Sequence, residues 1–166
     1  MLFRSRLVLL QHADGRLALQ RGDVDAWAGL DPIMASAEIE DGDVLFFRNA
    51  AANTWGVLNV SERFAAENPE IVKRVLAVYE KARQWSVEHP KELADLLASV
   101  TKLPEPVIAR QLERTELTHG PIGAAQKEAL VAAGQALQQA GVVGAKVDVT
   151  ATVDALVDSS FLPANN

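Results

Sequence analysis

Apolar positions along this chain follow two different rhythms. Up to about residue 60 they come in short consecutive runs, and beyond it they recur every three or four residues. Residues 6–11 (RLVLLQ) hold four apolar residues in a row, the pattern of a buried strand. Residues 13–21 place Leu17 and Ala18 on one side and charged residues on the other, which predicts a short helix stopped by Gly22. A second apolar segment, 24–29, ends at Asp31-Pro32, because the residue before a proline is pushed toward extended backbone. Residues 33–38 predict another helix, closed by a turn at 40–43. Residues 44–48 and 55–60 then read as two strands, separated by the small, polar stretch 49–54.

The remainder predicts helices. Ser61 caps a short one that ends at Asn68. Asn68 caps the next, with Pro69 in its first position, where the missing N–H costs nothing. That helix runs to about His89. Its residues Ile71, Val75, Val78, Ala82 and Trp85 share one face, which predicts a core stripe, while Glu70 and Arg74 lie four apart on the outer face. Further helices are expected around Leu93–Val100, over 104–114, over 123–140 and over 149–157. No internal repeat or low-complexity linker interrupts the pattern. Strand-rich opening and helix-rich remainder therefore read as parts of one α/β architecture.

Composition narrows the function. The 166 residues carry a formal net charge of -6. No basic stripe exists to follow a phosphate backbone, which argues against nucleic acid, and no polybasic anchor argues for a membrane surface. The chain has no cysteine, which removes disulfides, thiolate catalysis and cysteine-ligated metals. The run Leu7–Leu10 after Arg4 and Arg6 is too short for a signal peptide, so the chain carries none, and the leader of an exported form is expected upstream.

Several segments, taken in order, resemble the nitrate/sulfonate/taurine class of periplasmic substrate-binding proteins. Ala18 to Trp27 (ALQRGDVDAW) followed by Asp31-Pro32 is similar to that family's "G-x-V-D-A-W…D-P" pattern. Trp55-Gly56-Val57-Leu58, then Ser61 to Phe64 and Asn68 to Val72, is similar to its strand, short helix and long helix. Trp85 with His89-Pro90-Lys91-Glu92, and Ala140 to Val143 followed by Val147-Asp148-Val149, complete the match over about residues 16–158. The resemblance implies an α/β, periplasmic-binding-protein type II-like fold that is incomplete here. Residues 1–48 are expected to form the end of the second lobe and the crossover, and residues 49–166 the mostly helical C-terminal half of the first lobe. Exposed sheet edges follow from this, and such edges pair with another chain, which opens a route to an oligomer.

The same resemblance implies an ABC importer component that captures a small anion such as an alkanesulfonate, taurine or nitrate. Its partner would be an inner-membrane permease, its location extracytoplasmic, and its cofactor none. Trp27 and Asp31 are candidate ligand-binding residues, because a cleft that closes on a small ligand wants an aromatic wall and a few fixed polar groups. Asn53 and Thr54 lie in the polar crossover, where backbone N–H groups could face an anion, and Trp55 could wall the cleft. Against this, Trp27 and Trp55 could be core and Asp31 a helix cap. Asp25 suits a cationic ligand group better than an anion. The acidic run Glu38, Glu40, Asp41 and Asp43 lacks a calcium-loop pattern and reads as a solvated turn. His12, His89 and His119 lack metal-ligand spacing. No nucleophile elbow, phosphate-binding glycine loop or H-E-x-x-H helix is present. Two other readings remain: an enzyme or binder of pyrimidine precursors on the same fold, and a helical interaction module that uses the stripe Ile71–Trp85.

Overall fold

The computed structural model describes residues 6–50, 55–118 and 120–162. Among these residues every regular element is helical. The expected strands at 6–11, 44–48 and 55–60 and the apolar segment 24–29 take no regular secondary structure. The physical reason is that a strand exists only by pairing, and among the described residues no ladder forms. The chain falls into two compact units, Met1–Phe47 with His89–Glu116, and Arg48–Glu88 with Leu117–Asn166.

In the first unit, α1 (His12–Arg21) ends where Gly22 takes a left-handed φ of 73°. The Gly22 and Asp23 N–H groups then donate to the carbonyls of Leu19 and Ala18, which satisfies the helix's last turn. Helix α2 (Ile33–Ser36) continues directly into a π-helical turn over Ala37–Asp41. Its small residues Ala35, Ser36 and Ala37 are buried. Small side chains there let the backbone approach α6 (Glu105–Leu112), whose Val107 and Ile108 are the largest fully buried side chains. Helix α5 (Pro90–Thr101) packs on α6 from its other neighbour position in the chain. It closes at Lys102, a non-glycine residue with φ 61°.

The second unit holds the remaining helices. Helix α3 (Glu62–Glu67) is capped as expected, with Ser61 Oγ accepting from the Phe64 N–H at 3.3 Å. Helix α4 (Pro69–Glu88) follows at once. The Asn68 side-chain amide turns back to donate to the Phe64 carbonyl, so it is the Asn68 backbone carbonyl that receives the first α4 N–H groups. Helices α7 (Ala124–Gln139) and α8 (Val149–Leu156) pack together. Gly134 makes this possible, since a Cβ there would sit 2.6 Å from Val149 Cγ1. Val149 and Val153 are buried in that contact, and Asp148 caps α8 by accepting from the Ala151 N–H at 2.9 Å. The α7–α8 turn is fixed by Gln138 Nε2, which donates to the carbonyls of Gly144 and Val147.

The apolar stripe of α4 differs from expectation. Ile71, Val75, Val78 and Trp85 are exposed, and Val72 is the buried residue of that helix. The expected core stripe is therefore largely solvent-exposed. Glu70 also pairs with Lys73 at 2.8 Å, one residue short of the expected Arg74.

Candidate functional site

The segment joining α1 to α2 carries the first candidates, and its course is set by glycine. The Trp27 indole lies across the backbone of Gly15 in α1 and of Gly29. A Cβ at Gly15 would meet Trp27 Cδ1 at 2.5 Å, and one at Gly29 would meet Cζ2 at 2.6 Å. Only a residue without a side chain admits a flat ring that close. Trp27 is half-buried, so part of the ring is packed and part reaches solvent.

Asp31 precedes Pro32 through a cis peptide bond. Its Oδ1 accepts from the Ala35 N–H at 3.0 Å, which caps the first turn of α2. Its Oδ2 lies 3.2 Å from Nε of Arg114, a residue in the turn after α6. Arg114 Nη2 in turn lies 2.6 Å from Glu38 Oε2 in the π-helical turn. The three side chains are only 10%, 18% and 19% exposed for Arg114, Asp31 and Glu38. One guanidinium therefore holds two carboxylates in a poorly hydrated pocket, where its planar fork can address both.

A second arginine holds two more members of the acidic run. Arg16 on α1 donates from Nε to Asp41 Oδ2 at 2.7 Å and from Nη2 to Glu40 Oε2 at 3.1 Å. The Arg16 hydrogen bond holds the Asp41 carboxyl below its ordinary range, with a lesser contribution from Gln20. Three members of the run expected as a solvated turn, Glu38, Glu40 and Asp41, thus serve as fasteners between the π-helical turn and its neighbours. Distance along the chain hid this, because nothing in the local pattern ties residue 16 or 114 to residues 38–41.

Trp55 belongs to the second unit and is half-buried on non-helical backbone. Asn53 and Thr54 lie outside the described residues, as does His119. Asp25 is exposed. His12 opens α1, and His89 precedes α5 with Nδ1 3.7 Å from Glu92 Oε1. No group of three or more histidine, aspartate or glutamate side chains is placed to hold a metal among the described residues. No described helix is long and apolar enough to cross a membrane. Chemically, the first unit offers a rigid, ion-paired frame that presents a partly open aromatic ring.

A family model described as "NMT1/THI5 like" matches residues 7–93. The chain is similar to a Bacillus subtilis (strain 168) protein named "Putative aliphatic sulfonates-binding protein". The two are 27% identical over 158 residues, which is 94% of this chain and 46% of that protein. An Escherichia coli (strain K12) protein of the same name is 33% identical over 117 residues, 69% of this chain and 37% of that protein. The chain thus spans less than half the length of either relative. No solved structure matches it significantly.

Proposed function

The chain belongs to the NMT1/THI5-like family, and on that premise we propose that it is a solute-binding component of an ABC importer. In this reading it captures a small anion such as an aliphatic sulfonate, taurine or nitrate and delivers it to a permease outside the cytoplasm. Capture makes and breaks no bond. The observation that carries the reading is similarity along 94% of the chain to a relative named for binding aliphatic sulfonates. The periplasmic-binding-protein type II-like, incomplete α/β architecture belongs to the same proposal.

Trp27, Asp31, Asn53, Thr54 and Trp55 are the proposed ligand-binding residues. The glycine platform under Trp27 supports its part, since it fixes the ring without covering all of it. The Asp31 carboxylate is already committed to Ala35 and Arg114. Its contribution is then to hold the segment on which Trp27 sits. With 16 Lys and Arg against 22 Asp and Glu, the chain offers little spare positive charge. Backbone N–H groups are accordingly the proposed anion donors.

Thermal melting of the chain with ethanesulfonate, taurine, nitrate or a hydroxymethylpyrimidine tests this. Ligand at one hundred times its Kd stabilises by about 2.7 kcal/mol. That raises the melting temperature by roughly 5–10 °C for a domain of this size. A rise with at least one of the anions is expected. A rise with the pyrimidine alone, or with none of the four, removes the transport reading.

A further inference from the structure

Trp27 carries a polar group that the fold places but does not use. Gly22 ends α1 at a left-handed φ of 73°, and the chain returns along the helix. The Trp27 ring thereby reaches the backbone of Gly15, in the first turn of α1. A Cβ built on Gly15 would fall closest to Trp27 Nε1, then to Cδ1 at 2.5 Å. One built on Gly29 would fall closest to Cη2, then to Cζ2 and Cζ3 at 2.6 Å each. One glycine therefore seats the pyrrole end of the indole, and the other seats the benzene end. Gly15 is also buried within a helix, where glycine is less stable than alanine, and the close ring accounts for its presence there.

This packing leaves the indole N–H open. An indole nitrogen can only donate, and a packed tryptophan usually has an acceptor for it. Among the described residues Trp27 Nε1 donates to no acceptor. It is not sealed away either, since the atom keeps contact with solvent. A wholly apolar ligand at this edge would bury the donor without a partner, which costs free energy. A ligand with negatively charged oxygens satisfies it, and a hydrogen bond to a charged acceptor is the stronger kind. Such a donor also needs no positive charge, of which this chain has no surplus.

We propose that the Trp27 Nε1–H donates to an oxygen of the captured anion, and that Gly15 and Gly29 are positioning residues that aim it. The inference rests on the proposed capture of a small anion. It adds one directed side-chain donor to the backbone N–H groups and gives the two glycines a part in affinity.

Calorimetry with ethanesulfonate, taurine and nitrate, paired with proton NMR of the indole N–H signals, is the test. The chain has three tryptophans, and the Trp27 signal is the one missing from Trp27→Phe. With an anion that binds, that signal should move to lower field and saturate at the calorimetric Kd. Trp27→Phe keeps an aromatic ring but removes the donor, and should weaken binding roughly tenfold or more with unchanged helical circular dichroism. Gly15→Ala should displace the Trp27 signal before any ligand is added and weaken binding as well. Gly144→Ala should do neither, because its Cβ would meet nothing closer than Val147 Cγ2 at 3.7 Å. Trp27→Phe decides the donor role even where Gly15→Ala fails to fold. Full affinity in Trp27→Phe overturns the proposal and leaves anion capture standing, the ring then acting only as a wall. An unmoved Trp27 signal in folded Gly15→Ala overturns the positioning role. Failure of all three anions to bind the unaltered chain removes the proposed function, and this inference with it.

Discussion

Arg114 shows how much of the first unit depends on one side chain. Its guanidinium stands between Asp31 Oδ2 and Glu38 Oε2, and it is nine-tenths shielded from solvent. Removing it leaves two carboxylates close together with no cation in a place that water reaches poorly. Breaking such a pair by deleting one partner costs about 3–5 kcal/mol in well-buried cases. Arg114→Ala should therefore lower the unfolding free energy by an amount toward the lower end of that range, read from the shift of the urea midpoint, the carboxylates being partly hydrated. Arg114→Lys keeps the charge but replaces a planar fork by a point charge, so it should recover part of the loss and not all of it. Equal stability of wild type and Arg114→Ala in urea would show that the cluster is not a fastener. Sequence reading reached Asp31 through its place before Pro32, yet missed Arg114, because an arginine after an amphipathic helix carries no local sign of its partner.

At the scale of elements, helices were legible and strands were not, for one physical reason. A helix satisfies its own backbone, so its limits are written locally. Gly22 stops α1, Ser61 starts α3, Pro69 opens α4 and Pro90 opens α5. A strand borrows its bonds from neighbours, and the runs at 6–11, 44–48 and 55–60 form no ladder among the described residues. The α4 stripe obeys the same logic, since its period was readable and its cover was not. The link between α1 and the π-helical turn gives the prediction at this scale. Asp41 has a folded-state pKa depressed below its ordinary 3.8 by the Arg16 hydrogen bond. A depressed carboxyl contributes stability that is present above the unfolded value and lost as pH falls through the folded one. The loss should therefore fall below about pH 4, and Asp41→Asn should remove that part of the acid dependence while lowering stability at pH 7. Partial exposure and screening keep the effect under about 1 kcal/mol, and 1 M salt should shrink it. Paired acid titrations of the two proteins followed by circular dichroism measure it, and superimposable curves would deny the Arg16–Asp41 pair any role.

For the molecule as a whole, the charge balance makes a demand on the proposed function. A chain with formal net charge -6 repels a small anion at a distance. The repulsion acts over about 30 Å at 0.01 M salt and about 8 Å at 0.15 M. Capture by this chain should then be slowed at low salt and accelerated as salt rises, by roughly threefold to tenfold across that interval. Local contacts at the site are short-ranged and escape most of the screening, so the dissociation rate should change less. Stopped-flow tryptophan fluorescence with an alkanesulfonate separates the two rates. An association rate that falls with salt instead means that a cationic funnel outweighs the net charge. The acidic balance, which counts so clearly against nucleic acid, would then be a poor guide to where the anion enters.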